Sequence, residues 1–269
     1  MIRKTVWAGP RNFYPDKPEI LKKTIEGFID TAQKKEECKA VLMPHAGYFY
    51  SGIVAGKTIS CVNIPDTIII LAPNHTGLGS PYSILSKGSW ETPFGNISIQ
   101  EELAAILLEN SEFFRQDEAP HIKEHAIEVE VPFLQYFNKN ISIVPVIISD
   151  FGLNNYRRAG GEIASAVKKF AKPVLIVISS DMTHYESHES AKEKDQYVIE
   201  AIKELDVEKL YKRVHANKIS MCGCAPACVG ISAVKKLGAQ EARLIDYQTS
   251  GDTSGDFSSV VGYAGLIIK

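Results

Sequence analysis

The chain has 269 residues, a formal net charge of −2 and an apolar content of 45%, values that fit a soluble globular protein able to bury a large core. So small a net charge gives no general attraction to nucleic acid or to an anionic membrane surface. No apolar stretch approaches the ~20 residues of a membrane span, and the opening MIRKTVWAGPRNFYP lacks the continuous apolar run of a secretory signal. The five cysteines, Cys38, Cys61, Cys222, Cys224 and Cys228, are an odd set. In a chain with an ample core they make a poor disulfide framework and point to a reducing, cytoplasmic setting.

No linker, repeat or composition shift divides the sequence, so a single domain over residues 1–269 is expected. Residues 18–35 have helix character, with Ile20, Leu21, Ile25, Phe28 and Ile29 recurring among lysines and glutamates. A strand at 41–43 runs into Pro44-His45, a helix is predicted over 53–62, and a second strand at 68–71 runs into Pro73-Asn74-His75. Together these make a βαβ unit with a right-handed crossover. Residues 82–85, Trp90 and 97–99 form a short β excursion about Pro93-Phe94-Gly95, followed by a helix over 100–108. Helical spacing over 124–137 is interrupted by Pro132, then a strand at 141–148 and a helix at 156–170 follow. A third strand at 174–178 ends in Ser179-Ser180-Asp181-Met182-Thr183-His184. A long amphipathic helical region over 192–214, a last helix at 228–237 and closing strands at 244–247 and 260–268 complete the pattern. Strands alternating with helices predict an α/β layered sandwich, its central sheet largely parallel or mixed and its helices on both faces.

Three continuous apolar strands each lead to a histidine: His45, His75 and His184. Runs of this kind are buried on both faces, and in open α/β sheets ligands bind beyond the carboxyl ends of the strands. His45 and His75, at the ends of strands expected to be neighbours, could share one metal, since neutral imidazole suits zinc, copper and iron. Each histidine could instead cap the helix that follows. Asn74 and the small residues around both histidines leave room for a ligand. His184 could be a ligand or a general base, and Asp181 could orient it or cap a helix. His188, four residues beyond, reads as solvent-exposed.

Cys222-Gly223-Cys224 near a helix start could be a set of small buried residues, or could offer a thiolate whose pKa the helix dipole lowers. His121 and His125 flank Glu124, Glu128 and Glu130, of which most read as surface charge; His125 and Glu128 share a helical face and are candidates to line the pocket. Residues 250–256, with Asp252, form a glycine-punctuated loop that could line a pocket but lacks the lysine and helix of a phosphate loop.

PHAGYFYSG, APNHTG, WETPFG, EHAIEVEVPFLQ, SSDMTHY and the closing TSGD and VVGYAG, in this order, resemble the Memo family. The resemblance implies the LigB-like fold of class III extradiol dioxygenases, the non-haem iron enzymes. It implies metal ligation by His45, His75 and Cys222, with Asp181 and His184 as further pocket residues and His184 matching the acid/base histidine of the dioxygenases. A cysteine where those enzymes use glutamate favours copper, zinc or a redox role over ring cleavage. AGPRNFYP resembles the family's A-G-x-F-Y-P with an insertion, which implies a different local loop.

The expectation is therefore a metal-binding protein with iron- or copper-dependent oxidoreductase chemistry, zinc being a further option, acting on a small molecule or peptide. A radical S-adenosylmethionine protein is the partner that the resemblance implies. Two other readings compete. A non-catalytic adaptor with a vestigial metal pocket would need basic residues at the pocket mouth, and the histidine motifs carry few. A non-haem iron dioxygenase would need a carboxylate ligand, for which Glu128 and Asp252 are the candidates.

Overall fold

The three histidine-bearing runs lie side by side at the centre of one mixed sheet. This computed structural model describes residues 2–9, 13–109, 111–149 and 152–269; part of the AGPRNFYP segment, residues 10–12, lies outside them. In chain order the first elements are β1 (Ile2–Arg3), α1 (Pro18–Glu26), β2 (Ala40–Met43), α2 (Tyr48–Ser60), β3 (Thr67–Pro73), β4 (Tyr82–Ile84), β5 (Ser89–Thr92) and β6 (Gly95–Ile99). Next come α3 (Glu101–Leu108), β7 (Arg115–Gln116), α4 (Ala126–Phe137), β8 (Ser142–Ile148), α5 (Leu153–Phe170) and β9 (Leu175–Ser179). The last are β10 (His184–Glu186), α6 (His188–Lys203), α7 (Val207–Ala216), α8 (Cys224–Lys236), β11 (Ala242–Thr249), α9 (Ser250–Ser254) and β12 (Val260–Ile268).

The sheet runs β1-β5-β6-β8-β3-β9-β2-β12-β10, with β11 beside β12, and β4 and β7 joined beyond β8. Its centre, β8-β3-β9-β2, is parallel. Strands β2 and β3 are not neighbours, contrary to the sequence expectation: β9 lies between them and pairs with both.

Burial explains why these runs are continuous rather than alternating. Along β3, Ile69 and Leu71 enter one core with α3, α5, α6, α7 and α8, while Ile68, Ile70 and Ala72 enter the other with α1, α2 and α4. Strands β2 and β9 divide in the same way, Leu42 and Ile178 to one side, Met43 and Val177 to the other. Successive side chains of a strand point to opposite faces, so a strand covered by helices on both sides must be apolar at every position.

Several boundaries shift for local reasons. Helix α1 ends at Glu26, before Gly27, and Asp30 then caps a turn by accepting from the Ala32 amide. The region expected as one helix over 192–214 is two. Leu205 takes a left-handed φ of 52°, and Asp206 caps α7 by accepting from the Lys209 amide at 2.9 Å. Residues 250–254, expected as loop, make the single turn α9, so the helix at 224–236 is not the last. Among the described residues no helix is long and apolar enough to cross a membrane.

Candidate metal centre

Because β2, β3 and β9 are parallel, their carboxyl ends share one edge of the sheet. His45 lies just past β2, His75 just past β3, and Ser179-Ser180-Asp181 where β9 finishes. Helix α4 brings His125 to the same edge at its N-terminal cap position. Ring centroids are 5.2 Å apart for His45 and His75, 5.3 Å for His45 and His125, and 4.5 Å for the stacked pair His75 and His125. Each ring offers a nitrogen within 4.8 Å of the other two, an arrangement that could hold a metal ion.

The backs of the rings are held by acceptors. His45 Nδ1 is 2.7 Å from Ser179 Oγ, and that hydroxyl donates to the Ala126 carbonyl at 3.1 Å. With its own proton used there, Ser179 accepts from His45, so Nδ1 carries the hydrogen and Nε2 keeps its lone pair. His75 Nδ1 donates to Glu124 Oε1 at 2.8 Å, and His125 Nδ1 lies 3.3 Å from the same oxygen. Hydrogen-bond acceptors behind His45 and His75 fix the tautomer that a metal needs in front, and the Glu124 carboxylate faces the same side of His125.

Electrostatics follow burial. His45 is fully enclosed, and burial with the neighbouring His75 charge pushes its pKa down to about 3. His125 falls to about 3, from burial and then from His45. His75 moves up: burial, the largest single effect, lowers it, but the Glu124 hydrogen bond and the Glu124 and Asp181 charges together outweigh burial. Burial also opposes ionisation of Glu124, yet the His75 hydrogen bond, the two imidazole charges and the Ala126 amide hold its carboxyl at about 2. Neutral imidazoles at His45 and His125 are the metal-binding form.

Cys222 Sγ lies 3.3 Å from His45 Nε2 and accepts from the Asp181 amide at 3.3 Å. The approach depends on Gly223. A Cβ there would sit 2.3 Å from Ser180 Cβ, so any other residue would push the cysteine loop off the strand end. Asp181 Oδ1 accepts from the His45 amide at 2.9 Å, and Oδ2 lies 3.9 Å from His45 Nε2.

A family model described as Memo-like protein matches residues 3–267. The chain belongs to the Memo family. It is 40% identical to a MEMO1 family protein of Aquifex aeolicus over 99% of this chain and 98% of that one. It is 39% identical to one from Methanobrevibacter smithii, with both chains covered completely. Among solved structures, an uncharacterised protein of Escherichia coli K12 superposes with a TM-score of 0.56 at 10% identity, over 86% of this chain and 100% of that chain. That likeness concerns the fold alone.

Of the ligand set that the Memo resemblance implies, the structure brings His45, His75 and Cys222 together and adds His125, which the sequence offered only as a pocket residue. His184 is not one of the three clustered rings; it sits at the start of β10, half-exposed, near enough for its charge to bear on His45 and Asp181. Its Nδ1 donates to the Ser220 carbonyl at 2.9 Å, so Ser220 orients it, and Asp181 instead orients the His45 loop. Asn74 shapes the His75 loop, its Oδ1 accepting from the Thr76 and Gly77 amides. Glu128 accepts from the Trp7 amide at 2.7 Å and the Tyr14 hydroxyl at 2.9 Å, and pairs with Arg3. Asp252 accepts from the Thr249 amide in the capping box of α9. Neither Glu128 nor Asp252 supplies the carboxylate that the dioxygenase reading requires. His188 is half-buried rather than exposed, 3.0 Å from Thr249 Oγ1 and against Phe257.

One expectation about Cys222 is corrected. It stands near a helix start as expected, two residues before α8, but burial and the Asp181 carboxylate push its thiol well up instead of down. Sequence reasoning missed Glu124, Ser179 and Ser220 as partners of histidines, and Trp7 and Phe13, whose rings pack on His125 at 5.9 and 4.7 Å. The adjacency of Glu124 and His125 just before an apolar helical run was the only available signal.

Proposed function

We propose that this Memo-family protein is a metal-dependent redox protein that holds one iron or copper ion between His45, His75 and His125, with Cys222 as a thiolate donor. The observation that carries the reading is the convergence of three imidazoles whose Nδ1 sides face acceptors, with a cysteine sulfur at the front of His45. The donor set fits such an ion: imidazole suits iron, copper and zinc, and a thiolate adds preference for the softer ones. Iron or copper bound there would supply one-electron chemistry.

The chain's own groups define the rest. His184, with Nδ1 committed to Ser220, keeps Nε2 free to accept a proton and is the acid/base candidate. A cavity of about 600 Å³ lies beside the centre, with His75, Cys222, Ile148, Ile219 and Met221 among its lining residues. Its size and mixed wall, apolar side chains interspersed with Asn74, Ser149, His215 and Lys218, suit a small organic molecule that carries polar groups. Met221 and Ile219 alternate along the chain with Ser220 and Cys222, so one short segment builds the cavity wall and also supplies His184 and His45 with neighbours.

Metal analysis of protein purified without oxygen or chelator tests the reading. About one equivalent of iron or copper is expected, and it should be lost in His45→Ala/His75→Ala. Unchanged metal content in that double variant refutes the site.

A further inference from the structure

We infer that Glu124 is a positioning residue that orients two metal-binding imidazoles, His75 and His125, through a single carboxylate oxygen. The inference rests on the proposed metal centre. Oε1 accepts from His75 Nδ1 at 2.8 Å, lies 3.3 Å from His125 Nδ1, and accepts from the His125 and Ala126 amides at 3.0 and 3.1 Å. Oε2 accepts from the His75 amide at 2.7 Å. Both oxygens are thus committed to N–H donors, which leaves the carboxylate ill placed to ligate a metal itself.

The surroundings explain why a charged residue stands here. Glu124 is completely buried, and among the described residues its only ion-pair partners are these two histidines. Burying an ionised carboxylate without a cation is costly. A cation between the imidazoles would offset that cost through the rings, and the carboxylate in turn raises the basicity of the ring nitrogens that face the cation. The same turn of α4 supports the third ring: the Ala126 amide donates to Glu124 while its carbonyl accepts from Ser179, the partner of His45. The amides of His75, His125 and Ala126 fix the carboxylate, and the carboxylate holds the His75 ring by a hydrogen bond and the His125 ring by the facing charge. A serine orients His45 by a route of its own.

Glu124→Gln keeps the side-chain length but brings an NH2 group among N–H donors. Glu124→Asp keeps the charge but falls one methylene short of reaching both rings. Metal-free wild type and both variants would be titrated with Co²⁺ alone, without oxygen, following affinity and the visible spectrum of the bound ion. Both variants should bind about 10–100-fold more weakly. Their ligand-field bands should shift while the Cys222 thiolate-to-metal charge-transfer band persists at saturation, and their circular dichroism should match wild type. Should Glu124→Gln fail to fold, Glu124→Asp carries the same test. Binding within about threefold of wild type in a folded variant overturns the inference, as does weakening confined to Glu124→Gln, which would assign the effect to charge rather than position. Failure of wild type itself to take up Co²⁺ refutes the metal centre instead.

Discussion

Removing the charge of Glu128 should loosen the N-terminal segment that covers the candidate centre. Arg3 and Glu128 are 2% and 0% exposed and form a buried ion pair. Arg3 also donates to the carbonyls of His121 and Glu124, at 3.0 and 2.9 Å, and lies over the Trp90 ring. Glu128 gathers the Val6 and Trp7 amides and the Tyr14 hydroxyl as well. Breaking such a pair by removing one partner costs about 3–5 kcal/mol, because it strands a buried charge. In Glu128→Gln the stranded charge is Arg3, on the two-residue strand β1, which pairs with β5. Release of the segment is therefore a cheaper response than global unfolding, and it would bare His125 by withdrawing Trp7 and Phe13. Urea denaturation followed by tryptophan fluorescence, with limited proteolysis of the native protein, reads both outcomes. Adding Arg3→Met should recover at least half of the loss, since the introduced glutamine amide could still accept from Trp7 and Tyr14 while no buried cation remains. A loss below about 1 kcal/mol with no new cleavage near the N-terminus would show that the pair does not hold the segment.

Further outcomes are expected. His125→Ala should lower metal affinity about as much as His75→Ala, measured by titration of metal-free protein; an unaffected His125→Ala would leave Cys222 as the third donor. His184→Gln should retain most of the bound metal while abolishing redox turnover, and a large loss of affinity would make His184 a ligand. In metal-free protein at neutral pH, Cys222 should alkylate slowly despite its place in a pocket, because burial and Asp181 raise its thiol; rapid labelling seen by peptide mapping would contradict this. Burial also holds the Glu130 carboxyl well above its usual 4.5 in the folded state. The unfolded chain ionises first as pH rises, so native stability falls above that value. Glu130→Gln should consequently be more stable than wild type at pH 7 and show no such gain near pH 4, and equal urea midpoints at both values would refute the sign.

The two-faced burial of β2, β3 and β9 was legible because solvent leaves no choice of residue type in a strand covered by helices on both sides. His45 and His75 were legible for the same reason, as polar residues where such strands stop. The order β3-β9-β2 was not. It is set by which helices cross over which face, and no single strand carries that information. The partner of His184 was equally hidden. Ser220 is 36 residues away, and its contact is a backbone carbonyl, a group every residue possesses.

The stretch from Glu124 to Glu130 shows why pattern reading failed where the chemistry is densest. Three glutamates within seven residues look like a solvated face, yet all three are buried. Helix α4 is enclosed by the sheet on one side and by α1, α2 and the N-terminal segment on others, so it has little solvated face to give them. Each carboxyl meets the cost of burial differently. Glu124 stays ionised against two imidazoles, Glu128 stays paired with Arg3, and Glu130 is driven toward its neutral form. Side-chain type alone cannot separate these cases, because what distinguishes them is the donor that a distant part of the chain delivers: His75 from beyond β3, Arg3 from β1. A buried carboxylate is defined by that donor, and so the candidate centre becomes readable only once the strand ends and the N-terminus have been brought to α4.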